Sequence, residues 1–190
     1  MARSIATTLS PARGQVELIA DAQHLQRVVH DGIERAAVSL DIATADFKAM
    51  LVPQYGRRRA VSIVQIFRGL AERGVEIRVL HSGVPSGPAL HELRKNVPAG
   101  LVIRRCPRLH AKAVIVDACA MYLGSANLTG AGLGAKAEHR RNFELGLWTT
   151  SSELIDAVLT RFNAIWEGDQ CAACDRQSFC PQPLEEPQLT

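Results

Sequence analysis

The stretch "LHAKAVIVDACAMYLGSAN", residues 109–127, constrains the fold of this chain more than any other. Two apolar runs are separated by a short turn, which predicts a strand that returns antiparallel beside its neighbour. Such a return brings the two outer ends to one edge of a sheet. Polar residues stand at those ends, His110 and Lys112 in the first run and Ser125 and Asn127 after the second. We therefore expect these side chains to meet at one sheet edge.

The residue types at that edge suit a site for a phosphate or another oxyanion. A lysine ammonium, an asparagine amide, a serine hydroxyl and the N–H groups around Gly124 can all donate to an anionic oxygen. His110 is the group there that is able to act as a nucleophile or a proton donor near neutral pH. The alternative for each piece alone is structural: a hydrogen-bonded core histidine, or a strand–turn–helix junction capped by Asn127. Because all of these residues occur together at fixed spacings, the phosphate site is favoured over separate structural roles.

Apolar patterns along the rest of the chain predict strands that alternate with helices, which is typical of an α/β domain. Strands are expected at 38–45, 75–83 and 142–150 and in "LVIRRC", "LHAKAVIVD" and "AMYLGSA", and helices at 21–37, 61–74 and 151–168, the last starting at a serine. We expect a single domain, residues 15–168, with a mixed, largely parallel sheet flanked by helices. Residues 1–14 are expected to be a flexible leader, and residues 169–190 a cysteine-rich segment with a disordered tail.

Composition bounds the class of protein. Of the 190 residues, 47% are hydrophobic and 22% are charged, which is typical of a soluble globular domain. No apolar run reaches the roughly 18 residues of a membrane span, and the N-terminus lacks the apolar core of a secretory signal. We therefore expect a cytoplasmic protein with no membrane partner. The net charge is +3, and the clustered Arg57, Arg58 and Arg140 are candidates for contacts with a polyanion. Solvated surface charge is the alternative.

The spacing of the polar residues resembles the phospholipase D superfamily, whose signature is H-x-K-x4-D-x6-G-S-x-N. Its fixed positions are occupied here by His110, Lys112, Asp117, Gly124, Ser125 and Asn127. The acidic residue that the family carries in the next strand corresponds to Glu144, close to Asn142. The resemblance covers roughly residues 20–168 and implies a phospholipase D-like fold.

This resemblance implies a two-step phosphodiester hydrolysis that needs no catalytic metal. One histidine attacks phosphorus and forms a phosphohistidine, a second histidine protonates the leaving oxygen, and water releases the product. Lys112 and Asn127 would bind the non-bridging oxygens, and Glu144 would hold the imidazole. Two roles stay open for Asp117: it either orients a histidine or stabilises the fold. Because the chain has one copy of the motif, the resemblance implies a two-fold homodimer.

The motif is compatible with three functions. The favoured one is a nuclease, with DNA as the expected substrate, because lipid-active members usually carry membrane or lipid-binding segments. The segments "DIATADFKAM" and "GLAERGVEIRVLHSG" also resemble phospholipase D-like proteins encoded beside bacterial helicases and defence genes. This resemblance implies DNA processing or defence, with a helicase or another defence subunit as partner. The alternatives are a non-enzymatic nucleic-acid-binding subunit that uses the motif as a phosphate clamp, and a lipid phosphodiesterase.

The cysteines form a second pattern. Cys171, Cys174 and Cys180 lie close together in "CAACDRQSFCP", and an odd total of five without an export signal argues against a disulfide framework. This spacing predicts a metal site, with Cys106 as the favoured fourth ligand and Cys119 as the second choice. Four thiolates suit Zn²⁺ or a [4Fe–4S] cluster. Because the spacing resembles iron–sulfur sites of helicase-associated nucleases, we narrowly favour the cluster, in a structural role. Ordinary tail cysteines are the alternative.

Overall fold

A computed structural model describes residues 14–56, 59–95, 99–176 and 178–187. Within this part of the chain there are nine strands and three α-helices. The strands are β1 (Val16–Ala20), β2 (Ser39–Thr44), β3 (Leu51–Val52), β4 (Val61–Ser62), β5 (Glu76–His81), β6 (Leu101–Arg105), β7 (Ala113–Val116), β8 (Ala120–Gly124) and β9 (Leu145–Thr149). The helices are α1 (Ile63–Glu72), α2 (Gly87–Lys95) and α3 (Ser152–Trp166).

Seven of these strands form one mixed sheet, in the order β1–β9–β8–β7–β2–β5–β6. The pairs β2–β5 and β5–β6 are parallel, and the other neighbouring pairs are antiparallel. The expected mixed α/β sheet is confirmed, but the expectation that it is largely parallel is wrong. The reason lies in the connections, because α1 and α2 provide the long crossovers that parallel strands need. The short turn at residues 117–119 instead forces β7 and β8 to run antiparallel.

Helices cover both faces of the sheet because its central strands alternate buried side chains between them. On one face, Leu40, Val79 and Val114 pack with Phe67 of α1 and Leu93 of α2. On the other face, α3 packs over β2, β5 and β7 with a cluster that contains Ala43, Leu80, Leu109, Ala113, Phe162 and Trp166. The side chain of Ser151 accepts a hydrogen bond from the N–H of Leu154 and caps α3, as the serine in the sequence predicted.

The segment expected as a helix at 21–37 takes a different helical form. Leu25–His30 is π-helical, with the N–H of Asp31 donating to the carbonyl of Gln26 at 2.9 Å, and a 3₁₀ turn follows at Ile33–Arg35. Its apolar side chains still face the core, so the periodicity located the buried face correctly. Over so few turns, periodicity does not separate these helix types. Within the described residues, no helix combines the length and apolar character needed to cross a bilayer.

Helix α3 covers only part of the sheet face on which it packs, and the part formed by β1, β9 and the end of β8 is exposed. The alternating residues of β1, β9 and the end of β8 that point to this side are apolar and exposed: Val16, Leu18, Leu123, Leu145 and Leu147. They are continuous across the strands, since Leu18 is opposite Leu147 and Leu147 is opposite Leu123. We call these five residues the apolar shelf. Their contiguity distinguishes them from scattered surface leucines.

The C-terminal segment lies along β6 as far as the structure describes it. The N–H of Arg105 donates to the carbonyl of Glu185 at 2.9 Å, and its guanidinium donates to the Glu185 carboxylate at 3.1 Å. Arg104 pairs in the same way with Glu186 at 3.2 Å. Up to residue 187 this differs from the expected disordered tail. The expected leader lies outside the described residues except for its last position.

Candidate active site

Four strands bring their ends to one edge of the sheet. β2 ends there at Thr44, β7 begins there at Ala113, β8 ends there at Gly124 and β9 begins there at Leu145. The antiparallel registers of β2–β7, β7–β8 and β8–β9 align these ends. The predicted site residues lie on the short segments that enter or leave the strands at this edge.

His110 and Lys112 lie in the extended segment that leads into β7. The strand was expected to include them but begins at Ala113, although the N–H of Gly124 still donates to the carbonyl of Lys112 at 3.1 Å. Lys112 Nζ lies 3.3 Å from both ring nitrogens of His110 and donates to the His110 carbonyl at 2.9 Å. His110 is exposed and Lys112 is half-buried. The structure thus brings the imidazole and the ammonium together, as their spacing predicted.

Asn127 is held in one orientation by the end of β2. Its Oδ1 accepts hydrogen bonds from the N–H groups of Ala45 at 3.0 Å and Asp46 at 3.1 Å, and from Thr44 Oγ1 at 3.3 Å. Because these donors fix the oxygen, the Nδ2 group is the side of the amide that can donate to an anion. Thr44 also accepts from the N–H of Leu128 at 3.0 Å, so it links β2 to the loop. Sequence reasoning did not identify Thr44, and its only signal was a polar residue ending a buried strand.

Ser125 and Glu144 form a second linked pair at this edge. Ser125 Oγ donates a short hydrogen bond to Glu144 Oε2, and Asn142 Nδ2 donates to Glu144 Oε1 at 3.0 Å. Glu144 is buried, and its N–H donates to the Asp21 carboxylate at 2.9 Å. Among the hydrogen bonds of the described residues, the Glu144 carboxylate is held by Ser125 and Asn142 and not by the His110 ring. Its expected role of holding the imidazole therefore stays a prediction.

Gly124 is required for packing. Its N–H is already bonded to the carbonyl of Lys112, so it does not supply the oxyanion donor that we expected of it. A Cβ at Gly124 would come within 2.5 Å of the Tyr122 hydroxyl, and one at Gly146 would come within 2.2 Å of the Tyr122 ring. The Tyr122 hydroxyl in turn accepts from the N–H of Ala126 at 2.8 Å. The two glycines thus make room for a tyrosine that anchors the loop carrying Ser125.

Asp117 lies at the opposite end of β7 from His110. Its carboxylate accepts hydrogen bonds from the N–H groups of Ala37, Val38 and Ser39, at 2.7 to 3.1 Å. At roughly 3.3 Å per extended residue, the seven residue steps from His110 to Asp117 span on the order of 20 Å. The geometry therefore favours the structural role of the two that the sequence left open. Asp117 fastens the start of β2 to the β7–β8 turn.

A cavity of about 280 Å³ opens beside His110 and contains two arginines. Arg108 and Arg161 line it together with His110. Arg108 lies two residues before His110, and Arg161 comes from α3. Sequence reasoning missed both, since the motif has no fixed position before its histidine and no spacing rule links α3 to the motif. Arg140 is exposed on the 3₁₀ turn Glu138–Arg140 that precedes Asn142 and Glu144. Arg57 and Arg58, the other expected contacts, lie outside the described residues.

The profile of the family described as "Cardiolipin synthase, PLD-like domain" matches residues 29–166. The chain belongs to the phospholipase D-like family. No curated protein sequence matches it. Solved structures with the same fold include NucT from Helicobacter pylori, at a TM-score of 0.58 and 17% identity over 81% of this chain and 96% of that one. Nuc from Salmonella typhimurium, a phospholipase D family member, has a TM-score of 0.57 and 19% identity over 81% and 95% of the two chains. Phosphatidylserine synthase from Haemophilus influenzae has a TM-score of 0.54 and 18% identity, over 79% of this chain and 38% of that chain.

Two buried histidines lie near the phospholipase D-like site. Burial lowers the pKa of His24, although the nearby carboxylates of Glu144 and Asp21 raise it in part. Burial also lowers the pKa of His81, which ends β5 and accepts at Nδ1 from the N–H of Gly83 at 2.9 Å. The Nε2 atoms of both rings are buried, and neither has a hydrogen-bond partner among the residues that the structure describes. Both rings are therefore expected to be neutral at physiological pH.

Three of the predicted metal ligands, Cys106, Cys171 and Cys174, line the cavity beside His110. Cys106, Cys171, Cys174 and Cys180 line one small cavity, whereas Cys119 is exposed on the β7–β8 turn. Within the described residues, no three histidine, cysteine, aspartate or glutamate side chains are close enough to hold an ion as they stand. The metal site stays a prediction, with Cys106 rather than Cys119 beside the C-terminal cysteines.

Proposed function

We propose that this phospholipase D-like protein is a homodimeric phosphodiesterase that cleaves nucleic acid, with DNA as the substrate, through a phosphohistidine at His110. One observation carries the proposal. A nucleophile and an ammonium, at His110 and Lys112, converge at an exposed sheet edge where Asn127 presents an oriented amide donor. Two separate segments supply these groups, the one that leads into β7 and the one that follows β8.

The reaction follows from what each group can do. A ring nitrogen of His110 attacks phosphorus in line, so that an N–P bond forms as the P–O bond to the leaving group breaks. Lys112 Nζ and Asn127 Nδ2 stabilise the negative charge that builds on the non-bridging oxygens. The leaving oxygen takes a proton from a second imidazole, and water then displaces the histidine while that imidazole takes the water's proton. The products are an alcohol and a phosphomonoester.

The second imidazole is the reason for proposing a dimer. The chain has one copy of the motif, so His110 of a second copy would supply the acid. The apolar shelf supports this assembly because it adjoins the site. Leu123 directly precedes Gly124, and Leu145 directly follows Glu144. A two-fold axis near this edge would bury the shelf and bring the two histidines to one phosphate.

Nucleic acid is the proposed substrate because of the charges around His110. Arg108 and Arg161 line the same cavity as the histidine, and Arg140 is exposed on the loop that leads to Glu144. A polyanion can contact several of these arginines at once, since its phosphates repeat at short intervals. DNA processing or defence as the setting, and a helicase or other defence subunit as the partner, remain part of the proposal and would be tested by co-purification.

A phosphate clamp without turnover is the second candidate. It is favoured by the position of the Glu144 carboxylate, which contacts Ser125 and Asn142. If that arrangement persists with substrate bound, the His110 ring lacks the carboxylate partner that the family resemblance implies. The protein would then bind nucleic acid through Lys112, Asn127 and the arginines without cleaving it.

A substrate panel in EDTA separates these functions. Purified protein is incubated with single-stranded DNA, double-stranded DNA, RNA and phospholipid vesicles, and binding and product formation are both measured. We expect metal-independent cleavage of DNA that His110→Ala abolishes and that His91→Ala, an exposed histidine of α2, leaves unchanged. Binding without cleavage would support the clamp instead, and hydrolysis of the lipid alone would support a lipid phosphodiesterase.

A further inference from the structure

Four cysteines from two distant parts of the chain face one small cavity. Cys106 directly follows β6, and Cys171, Cys174 and Cys180 lie beyond α3. All four line a cavity of about 30 Å³, together with the side chains of Arg105, Arg108 and Arg176. The gathering is a product of folding, since about 65 residues separate Cys106 from the others.

The backbone holds each of these cysteines in place. The N–H of Cys106 donates to the carbonyl of His81 at 2.8 Å, which fixes it at the end of the parallel pair β5–β6. The N–H of Cys174 donates to the carbonyl of Cys171 at 3.1 Å, so the two thiols sit on one tight turn. The N–H of Cys180 donates to the carbonyl of Arg176 at 3.0 Å in a second turn. Two turns that present thiols to one point are a common way to build a four-thiolate site.

Arginine side chains and a backbone N–H group lie around the thiols. Cys174 accepts hydrogen bonds from the side chain of Arg108 and from the N–H of Arg176. Four thiolates around a divalent ion carry a net charge of −2, and the three arginines that line the cavity offset it. Such N–H donors to sulfur also orient the ligands, as outer groups do around bound metals generally.

Apolar packing does not explain why the C-terminal segment is ordered against β6. None of the described residues between 171 and 187 is buried, and Phe179 is 66% exposed. The contacts that hold the segment are polar, including the pairs Arg105–Glu185 and Arg104–Glu186, whose side chains are partly exposed. Exposed pairs of this kind contribute at most about 1 kcal/mol each. A bound ion would supply the missing free energy.

We propose that Cys106, Cys171, Cys174 and Cys180 bind one Zn²⁺ ion in a structural site. Four thiolates are a common ligand set for a structural zinc ion. The [4Fe–4S] cluster that the sequence narrowly favoured takes the same four ligands, and the metal analysis below distinguishes the two. The thiols line the cavity but are not yet at ligand distance, so binding draws the sulfurs inward to about 2.3 Å from the metal. The site requires no residue of the catalytic motif and stands independently of the proposed function.

The ion would also brace the entrance to the catalytic segment. The carbonyl of Cys106 accepts from the N–H of Leu109 at 2.9 Å, and Leu109 directly precedes His110. Cys106, Cys171 and Cys174 line the larger cavity that also contains His110 and Arg161. The zinc site thus lies along one wall of the cavity beside His110.

Metal content and thermal stability of the purified full-length protein test the proposal. The wild type and Cys119→Ser, the matched control at the exposed cysteine, should each contain about one zinc per chain by elemental analysis. Cys174→Ser and Cys180→Ser should lose most of the zinc and melt at a lower temperature. Exchange with Co²⁺ should give the visible absorption of a tetrahedral thiolate site in the wild type and in Cys119→Ser.

Three results would overturn the proposal. The first is wild-type protein, prepared without oxygen, that contains no metal and has five alkylatable thiols. The second is iron with inorganic sulfide and a brown colour, which would replace the ion by a cluster. The third is equal loss of zinc from Cys119→Ser and Cys174→Ser. If Cys174→Ser does not fold, the wild-type metal content and the Co²⁺ spectrum still decide the question.

Discussion

Lys112 Nζ lies 3.3 Å from both Nδ1 and Nε2 of His110. Both contacts are longer than a typical hydrogen bond between two nitrogens. The imidazole and the ammonium are thus near enough to contact the same phosphate. The bond from Lys112 Nζ to the His110 carbonyl, at 2.9 Å, keeps the two groups together before substrate arrives.

Asn127→Asp tests the oriented amide. The substitution keeps the oxygen that accepts from the N–H groups of Ala45 and Asp46, so the loop should stay folded. It replaces the donor Nδ2 with a second carboxylate oxygen, which repels a phosphate. We expect kcat to fall by roughly 10²–10³-fold, the range for the loss of one oxyanion donor, with an unchanged melting temperature. Wild-type turnover in this variant would show that Asn127 does not contact the reacting phosphate.

Asp117→Ala tests the structural role of the motif aspartate. It removes the carboxylate that accepts from the N–H groups of Ala37, Val38 and Ser39. We expect the free energy of unfolding, measured in urea, to fall by roughly 1–2 kcal/mol, because three N–H donors lose one charged acceptor, although those of Ala37 and Val38 are exposed. Turnover per folded molecule should be unchanged. Asp117→Asn, which keeps an acceptor oxygen and suits the left-handed backbone at φ 52°, should lose less.

The opposite pattern would assign Asp117 to catalysis. That pattern is an Asp117→Ala protein that is as stable as the wild type in urea but has lost turnover. Measuring both quantities on the same preparation separates the two roles.

The two buried histidines should make the free energy of unfolding depend on pH. Burial holds the pKa of His24 and His81 below 6.5, so below that pH the unfolded chain binds protons that the folded chain does not. Above pH 6.5 the folded and unfolded chains both carry these histidines in the neutral form, so the histidines do not lower the free energy of unfolding there. As the pH falls below 6.5, the unfolded chain gains protons and the free energy of unfolding declines. His24→Phe keeps a ring against Tyr122 but removes one titrating group. Urea unfolding between pH 8 and pH 5 should show a shallower decline in this variant, by up to about 1.4 kcal/mol per pH unit.

The comparison of slopes is the test here, because the variant also loses the bond from His24 Nδ1 to the carbonyl of Asp21. A steeper decline in His24→Phe than in the wild type, or equal slopes, would contradict a neutral buried His24.

Leu18→Glu tests the dimer through the apolar shelf. Leu18 is 66% exposed on β1, and Leu51, on β3 and away from the shelf, is 64% exposed, so Leu51→Glu is a matched control. We expect light scattering to show a dimer for the wild type and for Leu51→Glu, and a monomer for Leu18→Glu. Turnover should be lost with the dimer, since each phosphate needs two histidines. A fully active monomer of either variant would rule out a shared site.

The sequence predicted the parts of the site that depend on local spacing. His110 and Lys112 are two residues apart on an extended segment, and the return of the chain through a short turn brought Ser125 and Asn127 back beside them. Strand direction over longer distances was less predictable. The helical crossovers into β5 and β6 led us to expect a mixed sheet that is largely parallel, whereas the short connections around β7, β8 and β9 make most of the sheet antiparallel.

Contacts between segments far apart in the chain could not be predicted. Asp117 bonds to the backbone of residues 37–39, and its role followed from that long-range contact alone. The partner of Glu144 is Ser125 because β8 and β9 pair, with Gly124 opposite Gly146. Arg161 reaches the cavity beside His110 because α3 packs on one face of the sheet. No local pattern encodes these arrangements.

The measurement that tests the central claim most directly is a search for the covalent intermediate on His110. Wild-type protein is mixed with bis(p-nitrophenyl) phosphate in EDTA, quenched in alkaline denaturant within one turnover, digested and analysed by mass spectrometry. We predict a p-nitrophenyl phosphoryl adduct on the peptide that contains His110, formed with release of one p-nitrophenolate and absent from His110→Ala, which should not turn over. An adduct on another residue such as Ser125, or turnover by His110→Ala within about tenfold of the wild type, would contradict the account.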